Sequence, residues 1–402
     1  MGGKYGDERD DVVNRQVQET VNALEGQLIS FASELVRIKS RTGREANLVE
    51  RIRQEMAKLD YDDIIVDKVG NIVGVIGDGP VKLLYDSHMD HVAVNDAGEW
   101  AHGPYSGDIA DGRLYGRGSS DMKGSLAATV YAGHIMKKLG LAAGKTIYIC
   151  CSVMEEDFDG AGLYRAIVDN GLKPDYVVIC EPSHLNIAMG HLGRAIYKIN
   201  VRGVSAHGAA PEKGDNAVYK AAAIIGRIEE LGKKYMAMPP ERPSIALTRI
   251  ESVSASLNAV PGSCTLYVDR RICLHETEEA VGAEMTGLIG DADADWEIYD
   301  AVGQSYTGEE IVLHSYLPGW ELGAEHPLAR GCFAVYREVF GAEPKPYKWD
   351  FSTNGVASAK LGIPTIGFGA GVEKTAHMAN EYCPLEDIIL ACRFFSLLPL
   401  KL

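Results

Sequence analysis

The feature that most constrains the fold is a repeated alternation between short apolar runs and longer amphipathic segments. Apolar residues recur at helical spacing through residues 10–38, and a second helix is predicted over 45–59. Strand-like runs follow, with helices predicted at 125–139 and 161–170. The runs are DIIVDK, NIVGVIGD, VKLLYDSH, KTIYICCSV and DYVVICE. Strands that alternate with helices predict an α/β fold in which helices cover both faces of a sheet.

The pattern changes from about residue 195. It reads strand IYKINVRG, helix 215–234, strands SIALTRIE and SCTLYVDRRI, helix 276–289 and strand ADWEIYDAV. This βαββαβ order is typical of a ferredoxin-like unit. A helix at 327–340, the strand IPTIGFG and a helix at 384–397 then return to the earlier pattern. Since 402 residues exceed one compact core, we predict an α/β domain formed by residues 1–192 and 316–402, with a smaller domain inserted at 193–315.

Charge and cysteine content restrict the possible partners. The 40 Lys and Arg residues are outnumbered by 56 Asp and Glu, so the net charge is −16, which argues against a nucleic-acid partner. No apolar stretch approaches the roughly 18 residues of a membrane span. The eight cysteines form no CxxC pair, which favours buried thiols in a reducing compartment. We therefore expect a cytoplasmic protein that acts on a small molecule, without a membrane or nucleic-acid partner.

Ionisable side chains follow several predicted strands, at the point where each strand ends. The run VKLLYDSHMDH places polar groups after an apolar stem, and similar groups follow KTIYICCSV and DYVVICE. Because ligands of α/β sheets bind beyond the carboxyl ends of the strands, we expect these groups to share one site. Taken singly, each has an ordinary explanation, such as a solvated acidic loop. The candidates are His88, Asp90, Asp121, Glu155, Glu156, Glu181 and His377.

The residue types predict two divalent metal ions. Two such ions carry four positive charges, and three carboxylates supply three negative ones, which leaves a balance that suits a hydroxide between the ions. Histidine and carboxylate ligands without thiolate favour zinc, with cobalt or manganese as substitutes. Asp90 shares a strand face with His88 and is expected to accept its ring N–H. Glu155, beside the ligand Glu156, is left to act as the general base.

These residues and their order resemble the acetylornithine deacetylase, succinyl-diaminopimelate desuccinylase, aminoacylase and carboxypeptidase G family of dinuclear zinc hydrolases. The resemblance covers about residues 30–390, and it is carried by SHMDHV, YGRGSSDMKG, MEED, ICEPS, GVSAHGAAPEKGDNA, LNAVP and AHMANE. It implies a di-zinc exopeptidase-like catalytic domain with an inserted ferredoxin-like domain, which serves as a lid and forms a homodimer.

The same resemblance implies roles for individual residues. One metal would be held by His88, Asp121 and Glu181, and the other by His377, Asp121 and Glu156, with Glu155 as the base. His207 would reach the active site of a neighbouring subunit and stabilise the oxyanion. Asn258 and Arg271 would bind the carboxylate of the substrate.

The residues alone leave simpler interpretations open for these last three. His207 could anchor a turn before the next helix, and Asn258 could form an Asx turn before Pro261. Arg271 could be a surface strand residue that pairs with Asp269.

One segment departs from the family pattern. Many members carry a Thr-Ser-Asp type segment before the last strand, whereas here the chain reads WDFSTNG, with Asn354 in place of the carboxylate and Asp350 as the nearest acid. Asn354 is therefore the candidate for a substrate contact there, with Ser352 and Thr353. In this respect the chain is similar to a subgroup of the family linked to selenium-dependent and purine-related metabolism. The departure concerns substrate specificity and leaves the metal chemistry unchanged.

The predicted function is metal-dependent hydrolysis of the amide bond in an N-acyl amino acid or dipeptide-like substrate with a free carboxylate, assisted by Glu155. A di-zinc aminopeptidase or dipeptidase is the alternative within enzymes, although the related aminopeptidases lack an insert of this kind. A non-catalytic metal-binding scaffold is a third interpretation, and it is disfavoured because no expected ligand or base is missing.

Overall fold

A computed structural model describes residues 3–95 and 97–402, with side chains from residue 11 onward except that of Ala97. The helices are α1 Gly3–Arg37, α2 Ala46–Lys58, α3 Gly124–Leu139, α4 Ala161–Asp169, α5 Ala217–Met236, α6 Glu278–Ile289, α7 Pro327–Phe340, α8 Gly355–Lys360 and α9 Leu385–Leu397. The strands are β1 Asp63–Val66, β2 Ile72–Ile76, β3 Val81–His88, β4 Ile109–Ala110, β5 Arg113–Tyr115, β6 Lys145–Ser152, β7 Tyr176–Ile179, β8 Ala188–His191, β9 Gly193–Arg202, β10 Ser244–Val253, β11 Ser263–Ile272, β12 Ala294–Ile298, β13 Asp300–Gln304, β14 Glu310–His314, β15 Tyr316–Leu317, β16 Trp320–Glu321, β17 Tyr347–Trp349, β18 Thr365–Gly367 and β19 Tyr382–Pro384. Within this described part of the chain, no helix is both long enough and apolar enough to cross a membrane.

Four parallel strands form the centre of the larger sheet, in the order β6–β3–β7–β18. Strands β1 and β2 extend it at one edge, and β8, β16 and β17 extend it at the other. Helices α1, α2, α3, α7 and α9 pack on one face, and α4 and α8 pack on the opposite face. The near-continuous burial of β3 and β6 reflects these two helical layers. The predicted α/β fold is confirmed.

A second sheet has the order β10–β11–β9–β12 and is antiparallel throughout. Strand β11 lies between β9 and β10, which is the arrangement of a split βαβ unit. Helices α5 and α6 cover one face and form a separate hydrophobic core with side chains such as Ile199, Leu266, Ile224 and Met285. The ferredoxin-like unit expected from the sequence is therefore present.

The predicted strand ADWEIYDAV is wrong in one respect, because it consists of two strands. The break falls at Tyr299, whose N–H donates to the carbonyl of Ile196 (2.8 Å) and whose carbonyl accepts from the N–H of Ser315 (3.1 Å). Strand β13 then pairs with β14. Ala301 and Ile311 of this hairpin pack in the core of the larger unit, although the predicted insert, 193–315, includes them.

Gly369, just beyond β18, permits a close approach between two loops. A Cβ atom at this position would lie 2.3 Å from the carbonyl oxygen of Cys180, 2.4 Å from that of Glu181 and 2.7 Å from Oγ of Ser125. No side chain fits this space unless the backbone moves. The glycine therefore fixes how closely the segment after β18 packs against the segment that carries Glu181.

We expect Gly369→Ala to lower the free energy of unfolding by about 1–3 kcal/mol, the usual cost of an overpacked site. Chemical denaturation of the wild type and the variant measures this difference. Gly226→Ala in α5 is the matched control, because a methyl group added at Gly226 would have no atom within 4 Å and alanine favours a helix. Equal stability of Gly369→Ala and the wild type would contradict the packing argument.

Candidate metal centre

The carboxyl ends of three neighbouring strands bring ionisable side chains to one edge of the larger sheet. His88 is the last residue of β3, Glu155 and Glu156 follow β6, and Glu181 follows β7. Strand β3 pairs in parallel with both β6 and β7. Because parallel neighbours end at the same edge, the three segments meet there.

Asp121 and His377 complete the cluster from other parts of the chain. One oxygen of Asp121 (Oδ1) lies 2.9 Å from Nε2 of His88, and the other (Oδ2) lies 3.1 Å from Nε2 of His377. Glu156 Oε2 is 3.1 Å from Nε2 of His377, and Glu181 Oε1 is 3.5 Å from Nε2 of His88. A carboxylate with one oxygen beside each histidine has the geometry needed to bridge two ions. The structure therefore brings the five predicted ligands together.

The donor set fits divalent cations. Two triads, His88 with Asp121 and Glu156, and His88 with Glu155 and Glu181, hold their ligand atoms within 4.8 Å of one another. Burial, with the charge of Asp121, raises the pKa of Glu156 to about 8 and that of Glu181 to about 7. Without a cation, these carboxylates therefore tend to keep protons. Nitrogen and oxygen donors without sulfur suit zinc and similar ions.

Glu155 lies in the same cluster but apart from the closest contacts. Its Oε2 is 4.0 Å from Nε2 of His88, and the residue is buried. Burial raises the pKa of Glu155 well above its ordinary value. The preceding residue, Met154, has a left-handed backbone with φ of 62°, a conformation that costs free energy and concentrates at functional sites.

Asp90 contacts the His88 ring and also holds the segment that carries the two glutamates. Nδ1 of His88 lies 3.1 Å from the carbonyl oxygen of Asp90 and 3.5 Å from its carboxylate, so the backbone is the closer partner of the ring. The carboxylate accepts hydrogen bonds from the N–H groups of Glu155 (3.0 Å) and Glu156 (3.1 Å), and from the hydroxyl of Thr42 (2.8 Å). Asp90 therefore positions the two glutamates, and its carboxylate also contacts the His88 ring at 3.5 Å, the contact expected from the sequence.

A buried ion pair behind Asp121 was not predicted from the sequence. Glu381 Oε1 accepts from the N–H groups of Ser120 (3.0 Å) and Asp121 (3.1 Å), and its Oε2 accepts from Nη1 of Arg117 (2.6 Å). Both charged side chains are buried. Because Glu381 closely follows His377 in the chain, one carboxylate ties together the segments that carry two predicted ligands. Arg117 lies in the motif YGRGSSDMKG and Glu381 in AHMANE. Membership of these motifs was the one feature of the sequence that could have pointed to the pair.

Glu45 was missed as well. Its Oε1 accepts from the N–H groups of Gly43 (3.0 Å) and Met154 (3.1 Å). It thereby supports the left-handed turn that precedes Glu155. Burial, reinforced by the charge of Asp90, raises the pKa of Glu45 to about 8.

A cavity of about 430 Å³ opens above the cluster. Arg271 lines it together with residues of the cluster and donates from Nε to Asp269 (3.0 Å), the pairing that the sequence left open, so its contact with substrate stays a prediction. Asn354 does not: its Nδ2 donates to Asp86 (2.9 Å) and Ser152 (2.9 Å), and its Oδ1 accepts from the N–H of Gly160 (2.7 Å). The predicted direct contact between Asn354 and a substrate is wrong, because the buried side chain is engaged on the other side.

His207 and Asn258 are exposed residues of the ferredoxin-like unit. Nδ1 of His207 accepts from the N–H of Ala209 (3.0 Å), and Asn258 accepts from the hydroxyl of Ser256 (2.6 Å). Neither is among the described residues that line the cavity of its own chain. Their role in a neighbouring subunit stays a prediction.

We expect Glu381→Gln to weaken metal binding by about 10–100-fold, the usual effect of losing a residue that orients a ligand. The amide places an N–H group against the Arg117 guanidinium and loosens the backbone of Asp121. Metal titration followed by calorimetry measures the change. Glu386→Gln, an exposed acid in α9, should behave as the wild type, and equal affinity of both variants would contradict the role of Glu381.

Metal binding should release protons and weaken as the pH falls. Hydrogen bonds with Asp121 and Glu156 raise the pKa of His377 to about 10 in the metal-free protein, so this ring is protonated at neutral pH and must lose its proton to coordinate an ion. Apparent affinity is therefore expected to rise from pH 6 to pH 9. Calorimetry in buffers of different ionisation enthalpy counts the protons, and a count of zero would be inconsistent with this site.

Comparison with known proteins identifies the family of the chain. The model of Peptidase family M20/M25/M40 matches residues 84–401. The uncharacterized protein YgeY of Escherichia coli K12 is 34% identical over 393 residues, with 96% of each chain covered.

Solved structures are similar along nearly the whole chain. Aminopeptidase PepT of Bacillus cereus superposes with a TM-score of 0.72 at 21% identity, covering 94% of this chain and 98% of its own. The YXEP protein of Bacillus subtilis, a dinuclear metal binding peptidase from the M20 family, gives 0.69 at 14% identity and covers 94% and 98%. At these identities the structures support the fold alone. The match to the family model and to YgeY goes further: the chain belongs to peptidase family M20/M25/M40 and is a metal-dependent hydrolase.

Proposed function

We propose that the protein hydrolyses the amide bond of an N-acyl amino acid or a dipeptide-like substrate that carries a free carboxylate. The observation that carries this proposal is the position of Asp121, with one oxygen beside His88 and the other beside His377. Glu155 is nearby and is not needed as a ligand. Arg271 lines the same cavity and supplies a guanidinium for the carboxylate.

In this proposal, two ions occupy the cluster. One would be held by His88, Asp121 and Glu181, and the other by His377, Asp121 and Glu156. The donor set favours zinc. When bound, such a pair polarises a carbonyl group and lowers the pKa of water.

Glu155 performs the proton transfers. It is buried beside the predicted ligands, and burial raises its pKa well above the ordinary value, which makes the carboxylate a stronger base. It would take a proton from the attacking water and deliver it to the leaving nitrogen. Asp90 accepts hydrogen bonds from the backbone N–H groups of Glu155 and Glu156. These bonds fix the position of the proposed base relative to the neighbouring ligand.

The ferredoxin-like unit is proposed to pair with that of a second copy. Strand β10 is at the edge of its sheet and exposes Ile250 and Val253, which suits a homodimer contact. In such a dimer, His207 and Asn258 would complete the site of the neighbouring subunit. The eight cysteines are buried and free, which supports a cytoplasmic location.

A dipeptidase is the second candidate, because Asp350 and Glu373 also line the cavity. Burial and the charge of Asp350 raise the pKa of Glu373, so a free ammonium group of a peptide would be favoured beside them. A panel of N-acetyl, N-succinyl and N-carbamoyl amino acids and dipeptides, with added zinc, cobalt or manganese, separates the candidates. Hydrolysis of dipeptides alone, with none of the N-acyl amino acids cleaved, would decide in favour of the dipeptidase.

We expect Glu155→Gln to retain both metals and to lower kcat by about 10²–10⁴-fold, since it removes the proton acceptor and preserves shape. Turnover of the best substrate in the panel, together with elemental analysis, measures both effects. Asp157→Asn is the matched control, because Asp157 is an exposed acid in the same segment. Full activity of Glu155→Gln would rule out its role as base.

A further inference from the structure

Two arginines stand directly opposite each other above the cluster. Arg194 on β9 faces Arg271 on β11 in the antiparallel register, and both line the cavity of about 430 Å³. Side chains of directly opposed residues are about 5 Å apart at Cβ, and like charges in such a pair repel. Acidic groups must therefore lie nearby to offset the repulsion.

The neighbouring Arg270 shows what a structural arginine looks like in this sheet. It points to the helix-covered face, is fully buried, and binds Glu276 at 2.6 Å and Glu284 at 2.9 Å. Arg194 and Arg271 lie on the opposite face, with side chains 33% and 32% exposed. Because strand residues alternate between faces, Arg270 packs under the helices whereas Arg271, the next residue, faces the cavity.

Two acids offset the charges of the two arginines. Asp269 is shared between them, 3.0 Å from Nε of Arg271 and 3.3 Å from Nε of Arg194, and Asp159 lies 3.5 Å from Nη1 of Arg194. The buried Nε–H of Arg194 pairs with Asp269 by charge alone, since it forms no hydrogen bond within the part of the chain whose side chains are described. A buried donor without a hydrogen bond is costly, and Arg194 lines the cavity.

We propose that Arg194 binds a second carboxylate of the substrate, so that preferred substrates release a dicarboxylic amino acid, aspartate or glutamate. The inference rests on the proposed function, in which Arg271 binds the first carboxylate. The two carboxylates of such an amino acid are separated by a few ångströms, comparable to the spacing of the opposed arginines. Each guanidinium then receives a carboxylate in the planar geometry that it prefers.

Isosteric substrate pairs test this proposal on the metal-loaded enzyme. We expect kcat/KM for N-acetyl-aspartate over N-acetyl-asparagine, or for N-acetyl-glutamate over N-acetyl-glutamine, to be on the order of 10–100-fold, as for a hydrogen bond to a charged group. In Arg194→Gln this ratio should fall to near one. If Arg194 had a structural role only, the substitution would change kcat/KM for both substrates of a pair by the same factor, and their ratio would stay as in the wild type.

A second substitution and a control variant test the proposal even if Arg194→Gln fails to fold. Arg194→Lys keeps the charge but loses the planar fork and should give an intermediate ratio. Lys198→Gln is the matched control: Lys198 lies on the same face of β9 and pairs with the exposed Glu297, so its ratio should equal that of the wild type. Calorimetric binding of L-aspartate against L-asparagine gives a readout independent of turnover.

The outcomes separate the two proposals. A wild-type ratio near one, with both substrates of a pair hydrolysed, overturns the role of Arg194 and leaves the proposed function standing. A strong preference for N-succinyl-asparagine over N-acetyl-aspartate also overturns it, because the second acid then lies on the acyl side. Failure to hydrolyse any carboxylate-bearing amide overturns the proposed function itself.

Discussion

The candidate metal centre depends on overcoming the mutual repulsion of several buried carboxylates. Glu155, Glu156 and Glu181 lie within a few ångströms of Asp121 and His88, and burial raises the pKa of each glutamate. Burying a carboxylate anion costs free energy unless a group of opposite charge pairs with it. The sheet holds them together because parallel strands end at one edge, and a bound cation would convert this cost into binding free energy.

Backbone donors set the positions of these groups more than other side chains do. Asp90 accepts the N–H groups of Glu155 and Glu156, and Glu381 accepts that of Asp121. Each contact fixes the backbone of the segment from which a predicted ligand or the predicted base projects. Such preorganisation is what metal and catalytic sites require of their surroundings.

Local patterns in the sequence were sufficient for the two sheets and for the convergence of the five candidate ligands, because strand periodicity and polar strand ends are properties of short segments. Long-range partners were not accessible in this way. Arg117 and Glu381 are 264 residues apart, and nothing local pairs them. The break at Tyr299 was hidden because alternation continues on both sides of it. Asn354 shows a further limit. The segment WDFSTNG predicts an amide near the site, but the packing of the folded chain turns this amide towards Asp86 and away from the cavity.

The open face of the ferredoxin-like unit links substrate recognition to the relative position of the two units. Arg194 and Arg271 belong to that unit, whereas Asp159 and the ligand cluster belong to the larger one, and the pair Arg194–Asp159, at 3.5 Å, connects them. A substrate carboxylate that binds the arginines while its amide lies at the cluster must contact both units at once. Binding free energy therefore favours the arrangement in which the units are close, and a substrate without a suitably placed carboxylate lacks that contribution. If both proposals hold, specificity and closure of the site follow from the same charge interaction, since the guanidinium groups would select the substrate and hold it against the larger unit.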